Sequence, residues 1–172
     1  PHDSTGPDTE IIPDWTVLIS KVELLIGGQV VDTQDSTYST LIAPTLSAAT
    51  QSKSVASALY DGGATAKFYP LRFSFCENWQ SALPLVALQY HDVELRITWG
   101  TSADSHSWNV YANYAYLDSD EREAFSTGSQ NMLITQVQKS IGSKAKVQEL
   151  NFNHPIKYLA AGNVGAMTIL HK

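Results

Sequence analysis

Four acidic side chains, Asp118, Asp120, Glu121 and Glu123, crowd one short stretch of the chain, and carboxylates at that density are the donors a hard cation such as calcium takes. The stretch lacks the glycine and the spacing of the twelve-residue calcium loop. It reads more simply as a short helix capped by Asp120, with Glu123 three positions on completing a capping-box pair. The histidines, His2, His91, His106, His154 and His171, show no H-x-H or H-x-x-x-H spacing that would set two imidazoles on one face for a metal. Cys76, the single cysteine, follows Phe73-Ser-Phe and precedes Glu77, so nothing positive lies beside it to favour a thiolate. It is expected to be a small packed side chain. Gly62-Gly63 with Lys67 misses the phosphate-loop frame, and no G-x-S-x-G elbow is present. No enzyme activity, cofactor or metal is expected.

Around these residues the chain must fold. Its 172 residues, 43% hydrophobic and 16% charged, fit one domain with a real core and exclude a disordered composition. A net charge of −6 argues against a partner gripped through phosphates. No apolar run approaches the length of a membrane span, no signal peptide is expected from Pro1 to Glu10, and one cysteine suits a reducing compartment.

Residues 1–15 are rich in proline and acidic groups and read as a connecting segment. Val22, Leu24 and Ile26 then alternate until Gly27-Gly28, which marks a tight turn or bulge before a short return. From Gln34 to Ala66 the chain is poor in large apolar groups and reads as a long connection, with a short helix near Ser52 to Tyr60. Tyr69, Leu71, Phe73 and Phe75 alternate again. Val93, Leu95, Ile97 and Trp99 give the cleanest period-two segment, expected to bury one face. Trp108 to Tyr116, Met132 to Lys139 and Ala145 to Phe152 supply further extended candidates. With no long amphipathic helix, the pattern favours an all-β plan, an antiparallel sandwich or barrel.

Three segments are specific: Val22-Glu-Leu-Leu-Ile-Gly-Gly-Gln29, Leu83-Pro-Leu-Val-Ala-Leu-Gln-Tyr-His-Asp-Val93, and Leu150-Asn-Phe-Asn-His-Pro-Ile-Lys-Tyr-Leu159. With Leu117-Asp-Ser-Asp-Glu-Arg122 between them, they resemble the major capsid proteins of nucleocytoplasmic large DNA viruses over roughly Val22 to Leu159. The resemblance implies an antiparallel jelly-roll β-sandwich, the first of two jelly rolls, in a chain that lacks the first two strands and is an internal fragment. Six strands would follow: Thr16 to Val31, Lys67 to Phe75, Leu85 to Trp99, Ser107 to Leu117, Met132 to Lys139 and Ala145 to Ala160. Residues 16–161 would form the partial jelly roll, and 162–172 the start of a linker to the second.

The function so implied is structural: homotrimeric capsomers of pseudo-hexagonal outline that tile an icosahedral shell. The protein would reside in the virion, be assembled in the host cytoplasm, and have itself, neighbouring capsomers and minor capsid proteins as partners, with no direct nucleic acid and no membrane insertion. Gly27, Gly28, Pro84, Gln89, Tyr90, His91, Asn153, His154 and Pro155 carry the match. The last six are expected to act as buried hydrogen-bonding posts or as contacts at a subunit seam, and Gln34 to Ala66 to lie at the capsomer surface or between subunits. The alternative is a carbohydrate-binding or lectin-like module using Trp15, Trp79, Trp99 and Trp108 as stacking platforms, although Trp99 and Trp108 read as core residues.

Overall fold

A computed structural model describes residues 18–43, 69, 71–101, 109–142 and 147–161, with only the backbone of Thr40 and Leu41. The chain divides into two units after Val137. In the first, strands β1 (Ile19–Ile26), β2 (Gln29–Asp35) and β3 (Val93–Trp99) form an antiparallel sheet in the order β2-β1-β3. One antiparallel sheet thus dominates the regular structure, as an all-β plan requires.

Gly27 and Gly28 make the turn between β1 and β2 with φ of 58° and 79°. Positive φ at both central residues gives a hairpin whose twist matches its strands, and glycine adopts it without a Cβ penalty. The register starts at Ile26 opposite Gln29 and Leu25 opposite Val30, then slips so that Leu24 faces Asp32 and Val22 faces Gln34. Val31 is the extra residue of a bulge. Without it Val31 and Thr33 would stand beside Leu24 and Val22; the slip turns Asp32 and Gln34 to the core side instead, because one residue of shift exchanges the faces of a strand. A second irregularity, at Ser20 against β3, resets the alternation, and Leu18 and Ile19 both join the core.

That core is Leu18, Ile19, Val22, Leu24 and Phe73, with Val31, Tyr69, Leu71, Phe75, Val93 and Ile97 packed against it. Phe73 and Phe75 stack with ring centres 5.9 Å apart. The expected burial along β3 is halved: Val93 and Ile97 reach the core, while Leu95 and Trp99 stay 38% and 40% exposed. Trp99 is therefore not the core residue its position in the alternation suggested.

Only part of the strand reading becomes ladder. In 67–75 the described residues form no strand and end in a 3-10 turn, Ser74–Cys76, yet Phe73 is buried. The start of 85–99 is another 3-10 turn, Leu85–Leu88. Residues 109–117, 132–139 and 147–160 carry no regular structure. For 132–139 the reason is visible: Val137 donates its N–H to the Asp32 carboxylate at 2.9 Å and the Gln136 amide donates to the Val31 carbonyl, so side chains occupy the groups a ladder would pair. In 109–117 the alternation survives, but Val110, Tyr111, Tyr114 and Tyr116 are exposed, and no described strand partners them.

The acidic stretch is a helix, α1 (Ser119–Thr127), but its cap lies two residues earlier than expected: Asp118 accepts from the Glu121 N–H at 2.8 Å, and Glu121 reaches back to the Asp118 N–H. Asp118 is the residue with extended backbone, which a capping residue needs. The beginning of the long connection also differs from expectation. Gln34 and Asp35 complete β2, a π-helical turn follows at Tyr38–Ile42, and Gln34, Ser36, Ser39 and Ala43 are buried within this chain, so they are not waiting for a neighbour. The helix expected near Ser52 to Tyr60 and the rest of that connection lie outside the described residues.

In the second unit, Gln138–Lys172, the described residues are mostly exposed. Gln148 ties residues 140–141 to 148 by donating to the Ser140 hydroxyl at 3.0 Å and the Ile141 carbonyl at 2.8 Å.

Phe73, 1% exposed, joins the 71–75 segment to the sheet. Phe73→Ala should cost about 3 to 5 kcal/mol, read as a lower urea midpoint, and an unchanged midpoint would show that the cluster is not the core.

Candidate functional site

Gly27 and His91 meet although they stand 64 positions apart in the sequence. The Gly27 N–H donates to the Asp92 carbonyl at 2.9 Å, and the His91 ring lies over the glycine so closely that a Cβ there would come within 2.5 Å of its Cδ2. Glycine is required at this position twice, for the positive φ and for the approach. Gly28 faces open space, so it needs only the conformation.

His91 is delivered by tight turns. Leu85 donates to the Leu83 carbonyl at 2.9 Å, Ala87 to Pro84 at 2.9 Å and His91 to Leu88 at 3.0 Å, and Pro84, at φ −78°, starts the 3-10 turn, where its missing N–H costs nothing. The Leu83–His91 segment is thus folded on itself and is not mid-strand. Gln89 and Tyr90 project from its end, Tyr90 at 91% exposure, and His91 is also exposed. The expectation of buried hydrogen-bonding posts fails for these three, since their polar groups face water.

Between this segment and the hairpin lies an open groove of ≈ 550 Å³. Ile26, Val31, Leu83, Pro84, Ala87 and Leu88 line it together with Met132 and Ile134, and Gln29, His91 and Gln130 add polar groups. The structure therefore gathers Gly27, Pro84 and His91 at one place. Asn153, His154 and Pro155 are exposed residues of the second unit, where Asn153 borders a polar hollow of ≈ 400 Å³ with Gln138, Lys139 and Glu149.

Sequence reasoning missed Asp32. The residue is 5% exposed, and its carboxylate accepts from the N–H groups of Thr33 at 3.0 Å and Val137 at 2.9 Å and from the Gln34 amide at 2.9 Å. The same Gln34 nitrogen donates to the Arg72 carbonyl at 2.8 Å. One acid thus ties β2 to residues 71–73 and 136–137. The available signal was an Asp and a Gln two apart just after Val30-Val31, which places both on one face of the strand. Burial pushes the Asp32 carboxyl above its ordinary value, against the three donors that lower it. Tyr69, half-buried beside Ser39 and Asp35, is pushed up to about 12, chiefly by burial.

Cys76 is exposed and not packed as expected, and partial burial of its thiol raises its pKa, with smaller opposing effects from the Phe73 backbone and Arg72, so it is not an activated nucleophile. Among the described residues no three His, Cys, Asp or Glu side chains are placed to hold a metal, and no helix is long and apolar enough to cross a membrane. Trp79 is 67% exposed; Trp15 and Trp108 lie outside the described residues.

Residues 9–106 match the family described as major capsid protein N-terminus. A major capsid protein of Pyramimonas orientalis virus is 38% identical over 167 residues, covering 83% of this chain and 41% of that protein. One from Paramecium bursaria Chlorella virus 1 is 36% identical over 122 residues, 57% of this chain and 28% of that protein. Capsid protein 1 of Acanthamoeba polyphaga mimivirus is 34% identical over 111 residues, 52% and 19%. The chain thus spans less than half the length of these relatives.

Two outcomes check this geometry. Gly27→Ala should destabilise more than Gly28→Ala, by roughly 1 kcal/mol or more, and His91→Ala should reduce the cost at Gly27 only; equal costs in both backgrounds would refute the contact. For Asp32, a raised folded-state pKa means its contribution to stability is full below the ordinary value of 3.8 and is lost as pH rises through the folded value. The melting temperature of Asp32→Asn relative to wild type should therefore climb from pH 4 toward pH 7, and a flat difference would contradict the raised value.

Proposed function

This chain belongs to the major capsid proteins of large DNA viruses, and on that premise we propose that it is a shell-building segment whose mature setting is a trimeric, pseudo-hexagonal capsomer of an icosahedral virion. The family match carries the reading, and the contact between Gly27 and His91 supports it, because two of the segments that resemble the family pack on each other. Within the whole protein, residues 16–161 supply part of a first jelly roll, with 1–15 leading in and 162–172 leading toward a second. The described sheet with its hairpin is compatible with that plan.

The role is structural and not enzymatic, the site of action is the virion, and assembly takes place in the host cytoplasm. Gln89, Tyr90 and His91, exposed together at the end of a rigid double turn, suit a seam with another subunit. His154 and Pro155, exposed in the second unit, are assigned the same kind of role. The protein's partners are further copies of itself, then neighbouring capsomers and minor capsid proteins, with no cofactor, direct nucleic acid or membrane insertion. A carbohydrate-binding role has less behind it, since no Trp, Tyr or Phe lines the groove to act as a stacking platform.

The test uses the polypeptide extended to the length of its relatives. Native mass spectrometry should show a trimer, and Tyr90→Ala should weaken the trimer without lowering the melting temperature of the monomer. A full-length protein that remains monomeric at capsid-forming concentrations would overturn the capsomer reading.

A further inference from the structure

The outer edge of β3 carries an inference that the capsid reading does not contain. In the order β2-β1-β3, β3 is paired on one side only among the described residues, and an open edge presents unpaired N–H and C=O groups to any second strand. Which residues present them follows from the ladder. The Gly27 N–H donates to the Asp92 carbonyl, and β3 runs without slip from Val93 opposite Ile26 to Thr98 opposite Lys21. Hydrogen-bonded and non-hydrogen-bonded pairs alternate along an antiparallel ladder. Glu94, Arg96 and Thr98 therefore turn their backbone groups toward β1, and Val93, Leu95 and Ile97 turn theirs outward.

The sequence of that edge, Val93-Glu-Leu-Arg-Ile97, is complementary to itself. When two copies meet antiparallel about a two-fold axis at Leu95, each Leu95 forms a hydrogen-bonded pair with the other, and Val93 pairs with Ile97 in the same way. Glu94 of each copy then stands opposite Arg96 of the other in a non-hydrogen-bonded pair, the kind that brings side chains closest. Shifting the axis to Glu94 or Arg96 would place like charges opposite each other, which is unfavourable, so charge selects the register. Glu94 and Arg96 are exposed, and the ion pair found among the described residues is Lys21–Glu23 on β1, at 2.9 Å. Leu95, 38% exposed, would continue the apolar face of the sheet into that of the second copy.

We infer that the β3 edge is a docking surface for a second copy of this chain, joined through an isologous antiparallel strand pair centred on Leu95. The contact closes on itself with two-fold symmetry, so it cannot be the heterologous contact that closes a trimer. It also does not depend on the trimer being right.

Analytical ultracentrifugation of the 172-residue chain tests it. The wild type should show a species of even copy number. Glu94→Arg and Arg96→Glu should each weaken that association roughly tenfold, since each places like charges opposite one another twice per contact. The double variant E94R/R96E restores the complement and should recover it, with circular dichroism confirming that all three variants keep the sheet. In the wild type, the amide hydrogens of Leu95 and Ile97 should become protected from exchange as concentration rises. A monomeric wild type, an odd-numbered oligomer indifferent to both single variants, or a double variant no better than the singles would overturn the inference. So would protection at these amides that does not change with concentration, because the edge would then be covered within one chain.

Discussion

A buried carboxylate is costly unless donors surround it, and Asp32 is buried in the middle of this fold. The bulge at Val31 turns it to the core side of the sheet beside Leu24, and its three donors come from two places: its own strand through Thr33 and Gln34, and a residue more than a hundred positions later through the Val137 N–H. The cost of desolvation and the hydrogen bonds that offset it thus act together. If the hairpin lost its bulge, Asp32 would face outward, the Val137 N–H would lose its acceptor, and the Gln34 link to Arg72 would go with it. The placement of Phe73, next to that Arg72 carbonyl, depends on the same slip of one residue.

The turn preceding the bulge imposes the second constraint. Because both glycines hold positive φ, the hairpin is tight enough to leave its tip bare, and the His91 ring occupies the space a side chain would have filled. Backbone conformation, steric room and the docking of a distant segment are thus one requirement met at Gly27. Gly28 meets only the first part of it. A family motif that pairs two glycines need not mean that both are needed for the same reason.

The hairpin, β3 and α1 were legible because each carries a local signal: alternation, a glycine pair, acids that cap a helix. The exact cap was not, since Asp118 and Asp120 are both acceptable capping residues and backbone geometry chooses between them. Asp32 could not be placed because its burial depends on a register slip, and alternation alone assumes there is none. The strands expected at 107–117, 132–139 and 145–160, in their described residues, show the opposite limit. Period-two patterning states which face wants burial, while a strand exists only where a partner backbone is present. At Gln136 and Val137 that partner is met through side chains, and the family resemblance, which is a property of motifs, carried no information about this. Gly27 belongs to one of the segments that carry the resemblance and Pro84 and His91 to another, and only the fold brings the two together.

The distribution of exposed apolar groups follows the same logic. Leu133 is 96% exposed while its neighbours Met132 and Ile134 line the groove, and Tyr111, Tyr114 and Tyr116 stand 62% to 95% exposed. A monomer scatters single apolar residues on its surface without consequence, whereas contiguous runs of them mark surfaces suited to burial against something else. The buried polar links and the exposed apolar runs are therefore two sides of one arrangement. Asp32 and Gln34 fix the segments that hold their place within the chain, and the uncovered apolar residues belong to segments that no described strand pairs.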